Sequence, residues 1–446
     1  MRRRGRANGP RHGPPGGVRG VAFLGPLPPT PTGIATYDLA VLDGLERIGF
    51  TREVPVHPIW PVEERHFATV PAYELGVYQL GNNEAFHLST YRMVWQAPGL
   101  IVLHDLAMDD FVRALQSRND PLGFLAIREA LDARSVMTPG AAEGHEPLAI
   151  PWVAAVTRRA RGIVVHSAFA RRYLEAIGCH TPIFVVPHPV PETPQTLADA
   201  EPAGRALRAS VAGAGGRLLV VAPGDVNGSK RLEVILAAVG SLPSDVHLAI
   251  VGRRVKTYDV APVARAARLG ERLHLALDVD DRDFLGWLHA ADVIVELRHP
   301  HRGEVSGSLA RAMQVGRASI VSGTGSYLDE PDGAVVHVAP GPGDPREVAA
   351  AIRQLAGAPD ARRRIAAAAR AHVARQRLDE TTAHAYARAI RRTMAVVHDP
   401  VGPELARWAA ALADIGMSPA MTPTGIGARY ARALRSFEAS NHRHMD

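Results

Sequence analysis

Short runs of β-branched and other apolar residues recur along the chain, each followed by a longer stretch with helical spacing of its apolar positions. The runs stand at 18–24, 75–80, 99–104, 162–166 and 183–186, then at 217–222, 246–251, 273–275, 292–297, 318–321 and 334–338. Strand followed by helix, repeated, predicts parallel sheets built from βα units. Between the two sets, 189–216 is rich in Pro, Ala, Gly and Thr, which predicts a linker with only a short helix near Leu207. Ala- and Arg-rich helical patterns fill 347–356, 361–375 and 380–397, and two more follow Pro400 at 404–412 and 427–437. No internal repeat of solenoid length interrupts this order. The expected fold class is therefore α/β, with two doubly wound Rossmann-like domains facing each other across a cleft. The expected division is a first domain at 18–190, a linker at 191–216, a second domain at 217–376, and C-terminal helices at 377–446 that pack back on the first domain.

Composition narrows the possibilities. With 46% hydrophobic and 22% charged residues the bulk of the chain is globular, whereas 1–17 holds Arg, Gly and Pro with almost nothing to bury and reads as a disordered basic tail. That tail lacks the apolar centre of a signal peptide, and no run approaches the ~18 residues of a membrane span. A single cysteine, Cys179, excludes an internal disulfide and a cysteine-built metal site, in keeping with a reducing cytoplasm. Fifty-one basic against forty-five acidic residues leave a formal charge of +6, enough to draw a polyphosphate or the anionic inner face of a membrane. Nucleic acid is disfavoured, because aromatic residues make up only 5% and no basic stripe is interleaved with them.

At Gly25 the first strand runs into a proline-rich turn that reaches Thr32-Gly33-Ile34 just as a helix starts. Glycine lets the backbone approach a ligand there, and the N–H groups of Ile34 and Ala35 with the helix dipole favour an anion. Taken with Tyr78-Gln-Leu-Gly-Asn-Asn83, Val102-Leu-His-Asp105, Val164-Val-His-Ser167, Val185-Val-Pro-His-Pro189, Lys230-Arg231-Leu232 and Gly303-Glu-Val-Ser-Gly-Ser-Leu309, this turn resembles the retaining glycosyltransferases of family 4, which have the GT-B fold. The similar segments fall in the family's order and cover roughly 18–390.

The resemblance implies a nucleoside-diphosphate sugar as donor, bound at the diphosphate by Thr32, Gly33 and Ile34 and by the amides of Ser306, Gly307, Ser308 and Leu309. It gives catalytic roles to three residues: His104 at the reacting sugar, beside Asp105 as an acid able to orient it, Lys230 at the departing diphosphate, and Glu304 at the sugar hydroxyls. Two positions depart from the family's pattern. Asp225 stands where an arginine is expected, and offers a carboxylate to a hydroxyl or to Lys230; Arg311 stands where a second glutamate would hold the ribose, and is suited to a phosphate or a salt bridge. Arg253 and Arg254 read as surface arginines. The acceptor would be met by first-domain loops near 82–87 and 135–147. No cofactor or metal is expected beyond the sugar nucleotide, the partners being that donor and a glycan, lipid-linked or natural-product acceptor. Two other readings stay open: a sugar-nucleotide epimerase or phosphorylase on the same fold, and a scaffold that binds a sugar nucleotide without turning it over.

Overall fold

The computed structural model describes residues 18–190, 192–212, 218–376 and 379–396. The tail at 1–17 and the helices expected at 404–412 and 427–437 lie outside them. The described residues up to Met394 form one compact unit, and Ala395 and Val396 are grouped outside it.

In the first unit, β1 (Val18–Leu24), β2 (Val56–Ile59), β3 (Tyr73–Leu80), β4 (Leu100–Leu103), β5 (Gly162–Val165) and β6 (Ile183–Val185) make a six-stranded sheet in the order β2-β1-β3-β4-β5-β6. A second six-stranded sheet, β12-β11-β10-β7-β8-β9, comprises β7 (Leu218–Pro223), β8 (Val246–Gly252), β9 (Leu273–Leu277), β10 (Val293–Glu296), β11 (Ala318–Ser322) and β12 (Val336–Val338). All strand pairings within the two sheets are parallel. Parallel sheets are covered on both faces, and the alternation of side chains shows it. Val21 and Phe23 of β1 enter one core and Ala22 and Leu24 another; in β7, Leu219 and Val221 part from Val220 and Ala222 in the same way.

Among the covering helices are α1 (Gly33–Arg47), α2 (Pro194–Ala212), α3 (Asp281–Ala290), α4 (Gly307–Val315), α5 (Pro345–Ala356), α6 (Pro359–Gln376) and α7 (Asp379–Ala395). Tyr386, Ala387, Ala389 and Ile390 of α7 share a core with Val21, Phe23 and Val77 of the first sheet.

Two elements differ from the sequence expectation. Strand β2 is missed because Pro58 interrupts its short apolar run, yet β2 is an edge strand, where a missing N–H is tolerated. The stretch expected as a linker with a short helix carries the 19-residue α2. Its Gly204 is not a breaker but a contact: a Cβ there would stand 2.4 Å from His289 Cβ and 2.9 Å from the Gly286 carbonyl, so the glycine lets α2 lie hard against α3. Leu197, Ala200, Leu207 and Val211 make the apolar stripe that α2 adds to that core.

Candidate functional site

Strand order reverses between β1 and β3 in the first sheet and between β7 and β10 in the second. Crevices outside the carboxyl ends of strands at such switch points are where open parallel sheets hold ligands. A cavity of about 510 Å³ opens there, lined by Thr32, Gly33 and Ile34 after β1, His104 and Asp105 after β4, Asp225 and Lys230 after β7, and Glu304, Ser306, Gly307 and Ser308 after β10. Residues far apart in sequence thus share one wall, and every expected site residue except Leu309 lines it.

On the first-sheet side, no atom lies within 4 Å of the place a Gly33 Cβ would take, so the residue keeps open space in front of the helix. The amides expected to be free are already engaged: Ile34 donates to Thr32 Oγ1 at 3.4 Å and Ala35 to the Thr32 carbonyl at 3.1 Å, because Thr32 caps α1. Gly33 itself lines the cavity. His104 is fixed by Gln79, whose Oε1 is 2.9 Å from Nε2, and by Tyr37, whose ring stands edge-on with centroids 4.6 Å apart. Asp105 does not orient it, contrary to expectation. The chain turns as it leaves β4, and Asp105 Oδ2 instead accepts the Asn82 N–H at 2.9 Å. Burial, with His166, His87 and His188 nearby, holds the His104 ring well below the usual histidine range and hence neutral. Burial and the facing Glu304 carboxylate push Asp105 up to about 6, against the pull of the Asn82 N–H, Arg302 and Arg298.

The second-sheet side is organised by a residue the motif reading passes over. Glu296, the last residue of β10 and 1% exposed, accepts from Lys230 Nζ at 2.8 Å, from Tyr327 OH at 2.8 Å, from Ser306 Oγ, and through its other oxygen from Ser308 Oγ at 2.8 Å. Burial alone would raise this carboxyl, but Lys230 and Arg298 hold it down to about 2. Arg298 stands 3.3 Å from Glu304 Oε1 and donates to Ser229 Oγ at 3.2 Å. Glu304 also accepts the Arg302 N–H at 2.7 Å; against the desolvation that would raise it, His301, Arg298 and backbone amides keep it below the usual glutamate range. Ser306 caps α4 by accepting from the Leu309 amide at 3.2 Å. Leu309 is therefore corrected from a ligand contact to a core residue whose N–H belongs to the cap, and Gly307 and Ser308 head the helix toward the cavity.

Both departures from the motif are paired. Asp225 receives Arg253 Nη2 at 2.6 Å rather than hydrogen-bonding Lys230, and Arg253, expected as plain surface, lines the cavity. Arg311 forms ion pairs with Glu192 at 2.5 Å and Asp281 at 3.1 Å, with its guanidinium 4.7 Å from the Phe284 ring centre. The sequence also carries Asp278-Val279-Asp280 after β9, a carboxylate pattern not singled out above. The fold commits these acids separately: Asp278 pairs with Arg254, and Asp280 caps α3. Among the described residues no group of three or more His, Cys, Asp or Glu is placed to hold a metal ion. No described helix is long and apolar enough to cross a membrane.

Residues given no role in the sequence reading are Glu296, Arg298, Tyr37, His166 and His188, all of them on or beside the cavity wall, although His166 and His188 stand within two of the quoted segments. A signal existed for two of them. Glu296 and Arg298 flank the end of an otherwise apolar strand, where a charged residue is costly unless other groups pair with it.

The comparisons bear on the fold and on the family. Residues 217–357 match the model of the family described as "Glycosyl transferases group 1". No curated protein sequence matches the chain. Among solved structures, Alr3699/HepE of Anabaena in complex with UDP is similar at a TM-score of 0.59 and 14% identity, over 84% of this chain and 100% of that one. Sucrose-phosphate synthase from Thermosynechococcus elongatus is similar at 0.58 and 17%, over 85% and 100%. WaaG, a glycosyltransferase involved in lipopolysaccharide biosynthesis, is similar at 0.53 and 15%, over 83% and 99%. At these identities the likeness speaks for the fold, which is GT-B, while the family match places a group 1 glycosyltransferase domain on the second sheet.

Proposed function

We propose that the protein is a retaining glycosyltransferase of family 4 that moves a hexose or deoxyhexose from a nucleoside-diphosphate sugar to a glycan, lipid-linked or natural-product acceptor. The observation that carries this reading is the convergence, on one cavity, of two helix heads from separate sheets with Lys230 and Arg298. Two helix heads, with two cations beside the second of them, suit a pyrophosphate. HepE was solved with UDP and UDP-glucose, which makes uridine nucleotides the first donors to try.

In the reaction the bond from the anomeric carbon to the diphosphate oxygen breaks and the acceptor oxygen bonds to the same face. The acceptor's proton leaves on the departing phosphate. The protein contributes placement and charge stabilisation. Lys230 and the amides of Gly33, Gly307 and Ser308 offset charge growing on the diphosphate, neutral His104 orients the sugar, and Glu304 holds its hydroxyls. The enzyme would work in the cytoplasm, alone or at the inner face of a membrane. A panel of nucleotide sugars, scored by protection against thermal unfolding and then by transfer with the product's anomeric configuration read by NMR, tests the proposal. Absence of protection by every donor, or an inverted product, overturns it. The alternative, a non-catalytic sugar-nucleotide scaffold, draws on Lys230 being already neutralised by Glu296. Donor binding without transfer to any acceptor would favour it.

A further inference from the structure

Lys230 is one of only two lysines in the chain, the other being Lys256, although Lys and Arg together number fifty-one. Everywhere else inside the fold the cation is arginine. A Cβ on Gly224 would stand 3.0 Å from Lys230 Nζ and 2.8 Å from Ser308 Oγ, so the glycine lets the turn after β7 pass close over both groups. An ammonium is a compact point charge and suits such a place better than a planar guanidinium.

The same carboxylate that meets this ammonium meets the head of α4. Glu296 Oε1 takes Lys230 Nζ, Ser306 Oγ and Tyr327 OH, and Oε2 takes Ser308 Oγ. Ser306 is the α4 cap, and Ser308 is its second residue. The charged and polar groups facing Lys230 are thus Glu296 of β10, Arg298 just beyond it, Ser308 of α4 and Asp225 of the turn after β7. Glu296 itself is fully enclosed and does not line the cavity, whereas Lys230, Ser306 and Ser308 do.

We propose that Glu296 is a positioning residue that ties the Lys230 ammonium and the first turn of α4 to one carboxylate, so that both are presented together to a diphosphate. This deepens the glycosyltransferase reading and rests on it. Without the carboxylate, Lys230 would be a buried cation beside Arg298, and burial already draws its proton affinity down. Glu296 therefore keeps the ammonium charged as well as aimed, at the expense of cancelling part of its field before a ligand arrives.

The full-length protein labelled with 13Cε-lysine gives two titrating signals, and Lys256→Arg assigns them. In Glu296→Gln the Lys230 titration is expected to move down by about one pH unit or more, while Glu296→Asp, which keeps the charge, retains most of the original value. In parallel, uridine diphosphate binding by Glu296→Gln should fall about tenfold at alkaline pH and recover as the pH is lowered and Lys230 reprotonates. A general loss of packing would lower binding equally at every pH. An unchanged Lys230 titration in a folded Glu296→Gln protein overturns the role given to Glu296. A shifted titration in a chain whose unmodified form binds neither uridine diphosphate nor pyrophosphate overturns the diphosphate reading instead.

Discussion

Arg311 Nε lies 2.5 Å from a carboxylate oxygen of Glu192, a residue just before α2 whose side chain is 3% exposed. The pair joins α4 to the entrance of α2, and Asp281 at the head of α3 meets the same guanidinium. Arg311→Ala would leave Glu192 buried without its cation. Loss of one partner from such a pair costs about 3 kcal/mol, to be read from urea unfolding of the single variant. An apolar double variant, Glu192→Leu with Arg311→Leu, should lose much less. Equal losses in both would show that the pair itself stabilises the fold, and no loss in Arg311→Ala would show that the arginine is not held for the fold.

Glu304 and Lys230 are expected to affect turnover differently from donor binding. Glu304→Gln keeps the side-chain shape and its contact with the Arg302 N–H, so the fold should survive while transfer at saturating donor falls by about 10²-fold. Lys230→Met should lower both turnover and nucleotide affinity, because it removes charge from the diphosphate itself. Steady-state kinetics with separate KM and kcat values check this, and full activity in either variant rejects the site.

Asp105 makes stability depend on pH. Its carboxyl is pushed up to about 6 in the folded chain, above an unfolded value near 4. A raised acid favours the protonated form, so its contribution is complete below about pH 4 and is lost as the pH rises through about 6. Asp105→Asn should therefore stabilise the protein at pH 7 by about 1–2 kcal/mol, discounted for partial exposure, and have little effect at pH 4.5. Glu296 acts oppositely: held down to about 2, it adds stability above about pH 4 that disappears only in stronger acid. Unfolding curves at the two pH values separate these groups, and a pH-independent effect of Asp105→Asn would refute the assignment.

Gly224 combines φ of +105° with a Cβ position 2.8 Å from Ser308 Oγ. Gly224→Ala must strain the backbone and push apart Lys230 and Ser308. A stability loss of about 1–3 kcal/mol together with weakened nucleotide binding is expected, by thermal unfolding with and without uridine diphosphate. Nucleotide binding unchanged from the parent would place the diphosphate elsewhere.

Much of this molecule is written in local sequence. A buried parallel strand needs an unbroken apolar run, and eleven of the twelve described strands are visible for that reason; β2 is not, because an edge position excuses the proline that hides it. Helix heads at the cavity also leave local marks, such as Gly33 after a proline-rich turn and the Ser306-Gly307-Ser308 cap, and so does a histidine ending a strand. Those signals depend on neighbours within a few residues, which the sequence supplies directly.

Which partner each charge takes is a different matter. Lys230 meets Glu296 across sixty-six positions, Arg253 meets Asp225, His104 leans on Gln79 rather than on the adjacent Asp105, and Gly204 serves a helix contact instead of a bend. Electrostatic attraction and close packing act through space, packing within a few ångströms and attraction between charges over about 10 Å. They are decided only when the two switch points bring distant strand ends to the same cavity, so the sequence by itself determined all but one of the described strands and the parallel α/β plan, and the tertiary structure decided which groups hold one another in place.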